Sequence, residues 1–279
     1  MVDWISMIQA AIMGIVEGLT EFLPVSSTGH LILTSSLLGL EGEFWHSFDM
    51  AIQFGAIIAV IWEFRARILK VISGMWQRNS TDWRFAVNVI IACIPASFLA
   101  LLFEKQIKGF LFNAVSVAIA LIVGGLIILW AERRQTPESV RVHSMDDMSI
   151  LDALKVGIAQ IAALFPGTSR SGSTIIGGML FGLSRQTATQ FSFFLAIPIL
   201  FAASAKELLS MGDMLTSHNL TLFAIGFIFS FVSAFFCVRW LLRFVSQHNF
   251  NGFAWYRIVF GVIILVTWAL GWVDWTQAG

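Results

Sequence analysis

The chain has 279 residues, of which 57% are hydrophobic and 12% charged, and it contains 26 Phe and 11 Trp. An ordinary soluble domain has about a quarter of its residues charged, so this composition excludes a soluble globular protein and indicates an integral membrane protein. The formal net charge is zero, and we expect no nucleic-acid partner.

The N-terminal region reads as a broken helix. MVDWISMIQAAIMG has no basic n-region and no small-residue cleavage site, so we expect it to be part of the mature structure. Within residues 5–40, a polar tip containing Gly and Pro interrupts the apolar pattern, and an apolar run of only about ten residues follows it. At 1.5 Å per residue, such a run cannot cross a hydrocarbon core of about 30 Å. The pattern predicts a re-entrant hairpin.

Six further segments are apolar and long enough to cross the membrane as helices. They are residues 48–64, 85–103, 114–131, 188–205, 220–238 and 253–270. Residues 151–183, after the third segment, repeat the pattern of the first hairpin. GIVEGLTEFLPVSSTGHLILTSSLLGL from Gly14 is matched by GIAQIAALFPGTSRSGSTIIGGMLFGL from Gly157, which predicts an internal repeat.

These elements predict an all-α polytopic membrane protein with an inverted-topology repeat. Each half consists of a re-entrant helical hairpin and three transmembrane helices, and three crossings bring the second copy in from the opposite side. We expect one integral membrane domain over residues 1–279, with a first repeat at 1–132, a cytoplasmic linker at 133–147 and a second repeat at 148–279.

The basic residues support this topology through the positive-inside rule. With both hairpins re-entrant, three lysines fall on one side, Lys105, Lys108 and Lys206. Twelve basic residues fall on the other, namely Arg65, Arg67, Lys70, Arg78, Arg84, Arg133, Arg134, Arg141, Lys155, Arg185, Arg239 and Arg243. If the first helix of each hairpin crossed fully, the count would be ten against five. We therefore expect both termini outside the cytoplasm.

The two hairpin tips, PVSSTGH and PGTSRSGST, are predicted to meet inside the membrane. Irregular backbone at that depth survives only where it lines a cavity or is buried in protein, and paired broken helices indicate a binding site. Glu17 and Glu21 share one helix face, and carboxylates inside a membrane need a partner. The partner could be a cation, a shared proton, or His30 and Arg170 in the tips.

The remaining polar residues of the tips have two interpretations. Ser26, Ser27 and Thr28 can cap a short helix, or they can contact a ligand. Helix N-termini near His30 and Ser173 would favour an anion, Arg170 would add a bidentate donor, and Gly167 and Gly172 would permit close approach. Together these features indicate a phosphate site.

The motifs EGLTEFLPVSSTGH and PGTSRSGST resemble the two signatures of the bacterial undecaprenyl-diphosphate phosphatase family, and the resemblance covers nearly the whole chain. It implies a bacterial inner-membrane enzyme that converts undecaprenyl diphosphate to undecaprenyl phosphate and inorganic phosphate. Such an enzyme recycles the lipid carrier of cell-wall synthesis and confers bacitracin resistance when abundant. The implied catalytic residues are Glu17, Glu21, Ser27, His30 and Arg170. The implied substrate-binding residues are Ser26, Thr28, Gly167, Thr168, Ser169, Ser171, Gly172, Ser173 and Thr174.

The roles of these residues follow from phosphoryl-transfer chemistry. Ser27 would attack the terminal phosphorus while His30 takes its proton, and Arg170 would bear the phosphoryl charge. Glu17 and Glu21 would hold Mg²⁺ or Ca²⁺ or orient His30, and the sequence leaves both open. Direct attack by His30 or by a water stays an alternative to Ser27. We expect a polyprenyl diphosphate substrate in the bilayer, an active site open to the periplasm, and a homodimer.

Two other classes of protein share parts of this pattern. A lipid-phosphate transporter or flippase also uses inverted repeats with broken helices, and an intramembrane serine protease could use Ser27 and His30. A protease has no need of the two glutamates and Arg170 together. Elsewhere, Arg257 in AWYRIVF is expected to snorkel at a membrane boundary, and Gln53 and Gln160 are expected to make either helix–helix hydrogen bonds or site contacts.

Overall fold

The computed structural model describes residues 3–111, 113–210, 212, 216–273 and 275. The described residues are helical almost throughout, apart from turns and one isolated β-bridge between Val142 and Leu183. The α-helices are α1 Trp4–Thr20, α2 Ser27–Leu38, α3 Glu43–Glu63, α4 Arg65–Trp76, α5 Ser80–Leu111, α6 Ala114–Arg134, α7 Ile150–Gln160, α8 Arg170–Leu180, α9 Arg185–Ser210, α10 Ser217–Phe244 and α11 Asn251–Ala269.

Six of these helices, α3, α5, α6, α9, α10 and α11, are long and apolar enough to cross a membrane. They coincide with the six predicted spans, and the largest difference is at α5, which extends beyond both ends of its predicted range of 85–103. Their outer faces expose large apolar side chains, as expected of surfaces that contact lipid tails. The prediction of an all-α polytopic membrane protein is confirmed.

The helices of the two predicted hairpins are shorter. α1 has 17 residues, α2 has 12, and α7 and α8 have 11 each. At 1.5 Å per residue, the longest of them extends about 26 Å and the shortest about 16 Å. The first pair is joined by a turn at residues 21–26, and the second by a 3₁₀ turn, Ile161–Leu164, followed by an irregular tip. Each pair is a helix broken at its tip.

The backbone at the two tips follows the same path. Ser26 and Ser169, each just before the second helix of its hairpin, have positive φ values of 71° and 73°. Gly39 and Gly182, just after those helices, also have positive φ, at 62° and 93°. The same sequence spacing separates the two members of each pair. The hairpins therefore share their breaks and their ends, while the inverted relation of the two halves stays a prediction.

Small residues bring the hairpins close to the spanning helices. α1 packs against α10, and α7 packs against α5. A Cβ on Gly14 would lie 2.4 Å from the Gly226 carbonyl oxygen, and a Cβ on Gly157 would lie 2.5 Å from the Ala92 oxygen. Side chains at these glycines would separate the backbones, so Gly14 and Gly157 lie on helix-packing surfaces.

Helix α4 was not predicted. It carries Arg65, Arg67 and Lys70 together with exposed Leu69 and Ile72, a mixture typical of a helix lying at a membrane interface. Its basic residues lower the mean hydropathy of this stretch, so the search for long apolar segments did not detect it. Its Arg67 forms an ion pair with Asp146 in the linker at 133–147, so α4 and the linker lie on the same side of the protein.

Candidate active site

The two hairpin tips contact each other directly. The hydroxyl of Ser171, at the start of α8, donates a hydrogen bond of 2.8 Å to the carbonyl oxygen of Leu23 in the first tip. Ser169 Oγ lies 3.5 Å from the same oxygen. The prediction that the tips meet is confirmed, and their first helical residues, Ser27 and Arg170, come from opposite tips.

Glu21 joins the two tips through its carboxylate. Its Oε2 accepts a 2.7 Å hydrogen bond from Ser27 Oγ, and its Oε1 lies 3.4 Å from both Nε and Nη2 of Arg170. Arg170 also donates from Nη1 to the backbone oxygen of Ser192 in α9, at 3.1 Å. The Glu21 and Arg170 side chains are almost fully buried, so this ion pair is largely shielded from water.

Ser27 is not the cap of α2. The N-cap residue is Ser26, whose side chain makes no capping hydrogen bond, and Ser27 is the first residue of the helix. In the second tip, by contrast, Ser169 Oγ accepts a 3.1 Å hydrogen bond from the Gly172 N–H and caps α8. The hydroxyl of Ser27 is therefore held by Glu21 rather than by the backbone, which leaves its oxygen lone pairs available for chemistry.

His30 lies beside this group, but its ring nitrogens bond residues other than Ser27. Its Nδ1 is 2.7 Å from the Ser26 carbonyl oxygen and its Nε2 is 2.6 Å from Tyr256 Oη. Since a carbonyl oxygen only accepts, Nδ1 carries the proton, and in the neutral ring Nε2 accepts from the tyrosine. The ring stacks on Phe260 with centroids 4.4 Å apart. The structure thus gives the Ser27 proton to Glu21 and not to His30, the base predicted from sequence.

Glu17 is the second predicted carboxylate. It is fully buried, and neither of its oxygens has a hydrogen-bond partner in the described part of the protein. Its electrostatic neighbours are Glu21, Asp49 and Arg170. Three carboxylates with one nearby arginine leave this pocket short of positive charge, which favours a bound cation or proton.

Asp49 in α3 is a residue that sequence reasoning missed. Its Oδ1 is buried and has no hydrogen-bond partner among the described residues. The same is true of both side-chain polar atoms of Gln160, the residue that matches Glu17 in the second repeat. The signal was present in FDMAIQFG, where a carboxylate sits in an apolar segment. A charged side chain within an apolar segment is costlier to bury than an uncharged one such as Gln53, and so indicates function more strongly.

The predicted substrate-binding residues separate into two groups by burial. One group is partly exposed: Thr28, Thr168, Ser169 and Ser173. The other is buried and holds the tips together: Ser26, Gly167, Ser171, Gly172 and Thr174. In the second group, Thr174 Oγ1 bonds Ser192 Oγ at 2.7 Å and the Arg170 carbonyl at 3.0 Å. Thr174 thus connects α8 to α9, the helix whose backbone also holds Arg170.

The fold and the site define a class: a multi-pass helical membrane protein with a serine, a carboxylate and an arginine gathered where two broken helices meet. Residues 10–263 match the family described as Bacitracin resistance protein BacA, and the chain belongs to that family. It is 57% identical over 275 residues to the Undecaprenyl-diphosphatase of Laribacter hongkongensis, covering 99% of this chain and 100% of that protein.

Other relatives give the same result. Undecaprenyl-diphosphatase 1 of Burkholderia cenocepacia is 58% identical over 275 residues, covering 98% of this chain and 99% of that protein. The Undecaprenyl-diphosphatase of Dechloromonas aromatica is 54% identical over 273 residues, covering 98% of each. The family resemblance read from the two motifs is therefore confirmed over the whole chain.

Proposed function

We propose that this protein is an undecaprenyl-diphosphatase, which hydrolyses undecaprenyl diphosphate to undecaprenyl phosphate and inorganic phosphate. The observation that carries the proposal is the contact of Ser27, Glu21 and Arg170 across the two tips. A nucleophile, a base and a phosphate-binding cation are the groups that phosphoryl transfer through a serine requires. The relatives that share the chain's full length are named for this activity.

The first step uses the hydrogen bond between Ser27 and Glu21. Ser27 Oγ attacks the terminal phosphorus, its proton passes to Glu21 Oε2, and the bond from phosphorus to the bridging oxygen breaks. Undecaprenyl phosphate leaves, and the phosphoryl group stays on Ser27. The departing undecaprenyl phosphate takes the proton from Glu21. The Glu21 carboxylate then takes a proton from a water that attacks the phosphoserine, the bond from phosphorus to Ser27 Oγ breaks, and Ser27 Oγ takes that proton back as inorganic phosphate is released. Atoms and charges balance with water as the only co-reactant.

Arg170 and the first turn of α2 stabilise the charge on the transferring group. Arg170 already holds Glu21 through Oε1, so a bound phosphoryl group beside Ser27 lies within reach of the same guanidinium. The first N–H groups of α2 have no side-chain cap, and free N–H groups at a helix N-terminus favour an anion. His30, fixed between Ser26 and Tyr256, orients this first turn.

A divalent cation, Mg²⁺ or Ca²⁺, is part of the proposal. Glu17 fits it, because both of its carboxylate oxygens are buried and unpaired and hard cations prefer oxygen ligands. Glu21 fits less well, since both of its oxygens already accept hydrogen bonds. Among the described residues no cluster of three or more metal-ligating side chains forms a site, so the diphosphate oxygens would complete the coordination. The cation would neutralise charge on the leaving phosphate.

Phosphate release in detergent is the decisive experiment. Purified protein should release inorganic phosphate from a C55 diphosphate in micelles, where no compartments exist, and EDTA should suppress this release. Ser27→Ala protein of unchanged thermal stability serves as the control and should release none. A folded wild-type protein that moves the lipid across vesicles without releasing phosphate would contradict the proposal and favour the carrier.

The setting of this reaction is also part of the proposal. We infer a bacterial inner-membrane location, with the site open to the periplasm, because this orientation puts the basic residues in the cytoplasm. The substrate reaches the site from the bilayer. Association into a homodimer stays a prediction.

A further inference from the structure

Arg257 in α11 is the largest fully buried side chain near the site, with 1% of its surface exposed. It makes four hydrogen bonds, and all of them go to backbone carbonyl oxygens. Two acceptors belong to α6: Nη2 bonds Ala120 at 3.1 Å and Nε bonds Leu121 at 3.3 Å. The prediction that Arg257 snorkels at a membrane boundary is therefore wrong.

The other two acceptors lie in the two hairpin tips. Nη1 donates to the Pro24 oxygen at 3.1 Å, and Nη2 donates to the Gly167 oxygen at 3.0 Å. Pro24 lies two residues before Ser26, and Gly167 lies two residues before Ser169, the two residues with matching positive φ. One guanidinium thus bonds the corresponding point of both tips and ties them to α6.

A buried cation of this kind is costly unless its donors are satisfied. Removing a charge from water costs several kcal/mol even after relaxation, and among the described residues no carboxylate lies within ion-pair distance of Arg257. A planar group with five donors in fixed directions can bond carbonyls on separate segments, which a point charge cannot do. The geometry therefore indicates a role that depends on the shape of the guanidinium.

Glycines on two sides make room for this group. A Cβ on Gly124 of α6 would lie 2.2 Å from Arg257 Nη2, and a Cβ on Gly172 of α8 would lie 3.3 Å from Nη1. The first distance is too short for any real contact, so a side chain at Gly124 would displace the guanidinium. The guanidinium of Arg257 therefore occupies space that the absence of side chains at Gly124 and Gly172 leaves open.

We propose that Arg257 is a positioning residue for the hydrolysis, and that it sets the distance between Ser27 and Arg170 by clamping the two tips. Each of these side chains follows three residues after a clamped carbonyl, Ser27 after Pro24 and Arg170 after Gly167. A clamp at both points fixes the nucleophile and the phosphate-binding cation relative to each other without touching the substrate. This inference rests on the proposed function.

The test compares kinetic constants of Arg257→Gln and Arg257→Lys with those of wild type. A misplacement of about 1 Å costs about 10² in rate, so kcat should fall about 100-fold in Arg257→Gln while KM changes little. Arg257→Lys keeps the charge but cannot reach both tips, so its kcat should lie between the two. Arg239→Gln is the matched control, because Arg239 is half exposed, forms its ion pair with Glu63 and stacks on Phe235 in its own helix; its kcat should be unchanged.

Hydrogen exchange gives a readout that does not depend on activity. In Arg257→Gln, amides in both tips, residues 20–30 and 163–173, should exchange faster, whereas in Arg239→Gln neither segment should change. Faster exchange in only one tip, or in neither, would overturn the clamp, as would a wild-type kcat in Arg257→Gln.

Gly124→Ala decides the matter if Arg257→Gln does not fold. It keeps the arginine and only displaces its guanidinium, while Gly252→Ala in α11 places a methyl in open space and serves as the control. Gly124→Ala should lower kcat and Gly252→Ala should not; equal kcat in the two variants contradicts the proposal. Wild-type protein without phosphatase activity would instead refute the proposed function. The hydrogen-exchange comparison would still test the clamp, because it does not depend on activity.

Discussion

At the scale of single residues, Ser27 separates the two interpretations of the first motif. Because Ser26 occupies the N-cap position and Ser27 Oγ is bonded to Glu21, substituting Ser27 should affect chemistry rather than helix stability. We expect Ser27→Ala to abolish phosphate release while the protein still binds the lipid diphosphate. Ser27→Asn should be equally inactive, although asparagine caps helices well. Phosphate release and lipid binding by the purified variants would measure both.

The control for Ser27 is Ser35 in the same helix. Within the part of the chain that the structure describes, Ser35 Oγ makes one long contact of 3.8 Å, to Met13 Sδ, so Ser35→Ala should keep wild-type activity. Substantial turnover in Ser27→Asn would show that another group attacks phosphorus, such as His30 or a water.

Glu21 and His30 are predicted to behave differently. Glu21 accepts from Ser27 and pairs with Arg170, so Glu21→Gln should lower kcat by about 10² or more, within the range expected of a positioned base. The Glu21→Gln Ser27→Ala double variant should be little worse than Ser27→Ala, since residues that act as a unit are non-additive. His30→Gln should retain more activity than Glu21→Gln. Steady-state kinetics of the four variants would check this.

The opposite ranking of the activities of these two variants would indicate that His30 is the base. Equal activity in Glu21→Gln and wild type, together with an inactive His30→Gln, would mean that His30 takes the proton after its ring rotates away from Ser26. Tyr256→Phe provides a further check, because it removes only the partner of Nε2 and should have an effect no larger than that of His30→Gln.

The motifs allowed the site residues to be predicted, but not their partners. Two polar tips in an apolar chain must bury their side chains together, so convergence of Ser27, Glu21 and Arg170 follows from composition and repeat. Ser27 and His30 share a helix face, which suggested a direct pair. The sequence did not reveal that the His30 ring would bond back to the carbonyl four residues earlier. Nor could it reveal Arg257, whose four acceptors are backbone atoms of three separate segments.

At the scale of elements, the second tip depends on a glycine with two separate constraints. Gly167 has φ of 88°, and a Cβ there would lie 2.5 Å from the Val117 oxygen in α6. Gly39, at the end of α2, has φ of 62° but open space around it. We expect Gly39→Ala to cost about 1 kcal/mol, the usual penalty for a left-handed residue. Gly167→Ala should cost about 3 kcal/mol or more, since steric displacement adds to it.

Thermal unfolding in detergent would measure this difference, and the phosphatase assay would follow its effect on the site. Gly167→Ala should also lose activity, because Gly167 carries one of the carbonyls held by Arg257. Equal stability of the two alanine variants would mean that the second tip does not approach α6 as closely as described.

The spanning helices were predictable because a bilayer imposes their length and polarity on the sequence. The ends were less so: α3 and α9 extend into the polar flanks, where helix propensity and packing continue the helix after the apolar run stops. α4 was missed for a related reason, since its apolar residues alternate with Arg65, Arg67 and Lys70 and never form a continuous run. Amphipathic interface helices are detected by the helical periodicity of their apolar residues and not by mean hydropathy.

At the scale of the whole molecule, the basic residues are gathered with acidic partners on one side. Arg67 pairs with Asp146, Arg141 with Asp152, and Arg185 with Glu132. These pairs neutralise part of the local charge. Because orientation depends on the number of Lys and Arg near the spans and only weakly on Asp and Glu, the asymmetry of twelve against three keeps its predictive value.

The asymmetry in basic residues leads to a prediction about topology. A reporter inserted near Gln77, between α4 and α5, should lie in the cytoplasm, and one fused at Gly279, which lies outside the described residues, should lie on the opposite side. Alkaline phosphatase is active only outside the cytoplasm and green fluorescent protein folds inside it, so paired fusions at both positions give reciprocal signals. Both reporters on one side would require the second hairpin to cross fully, which would contradict the inverted repeat.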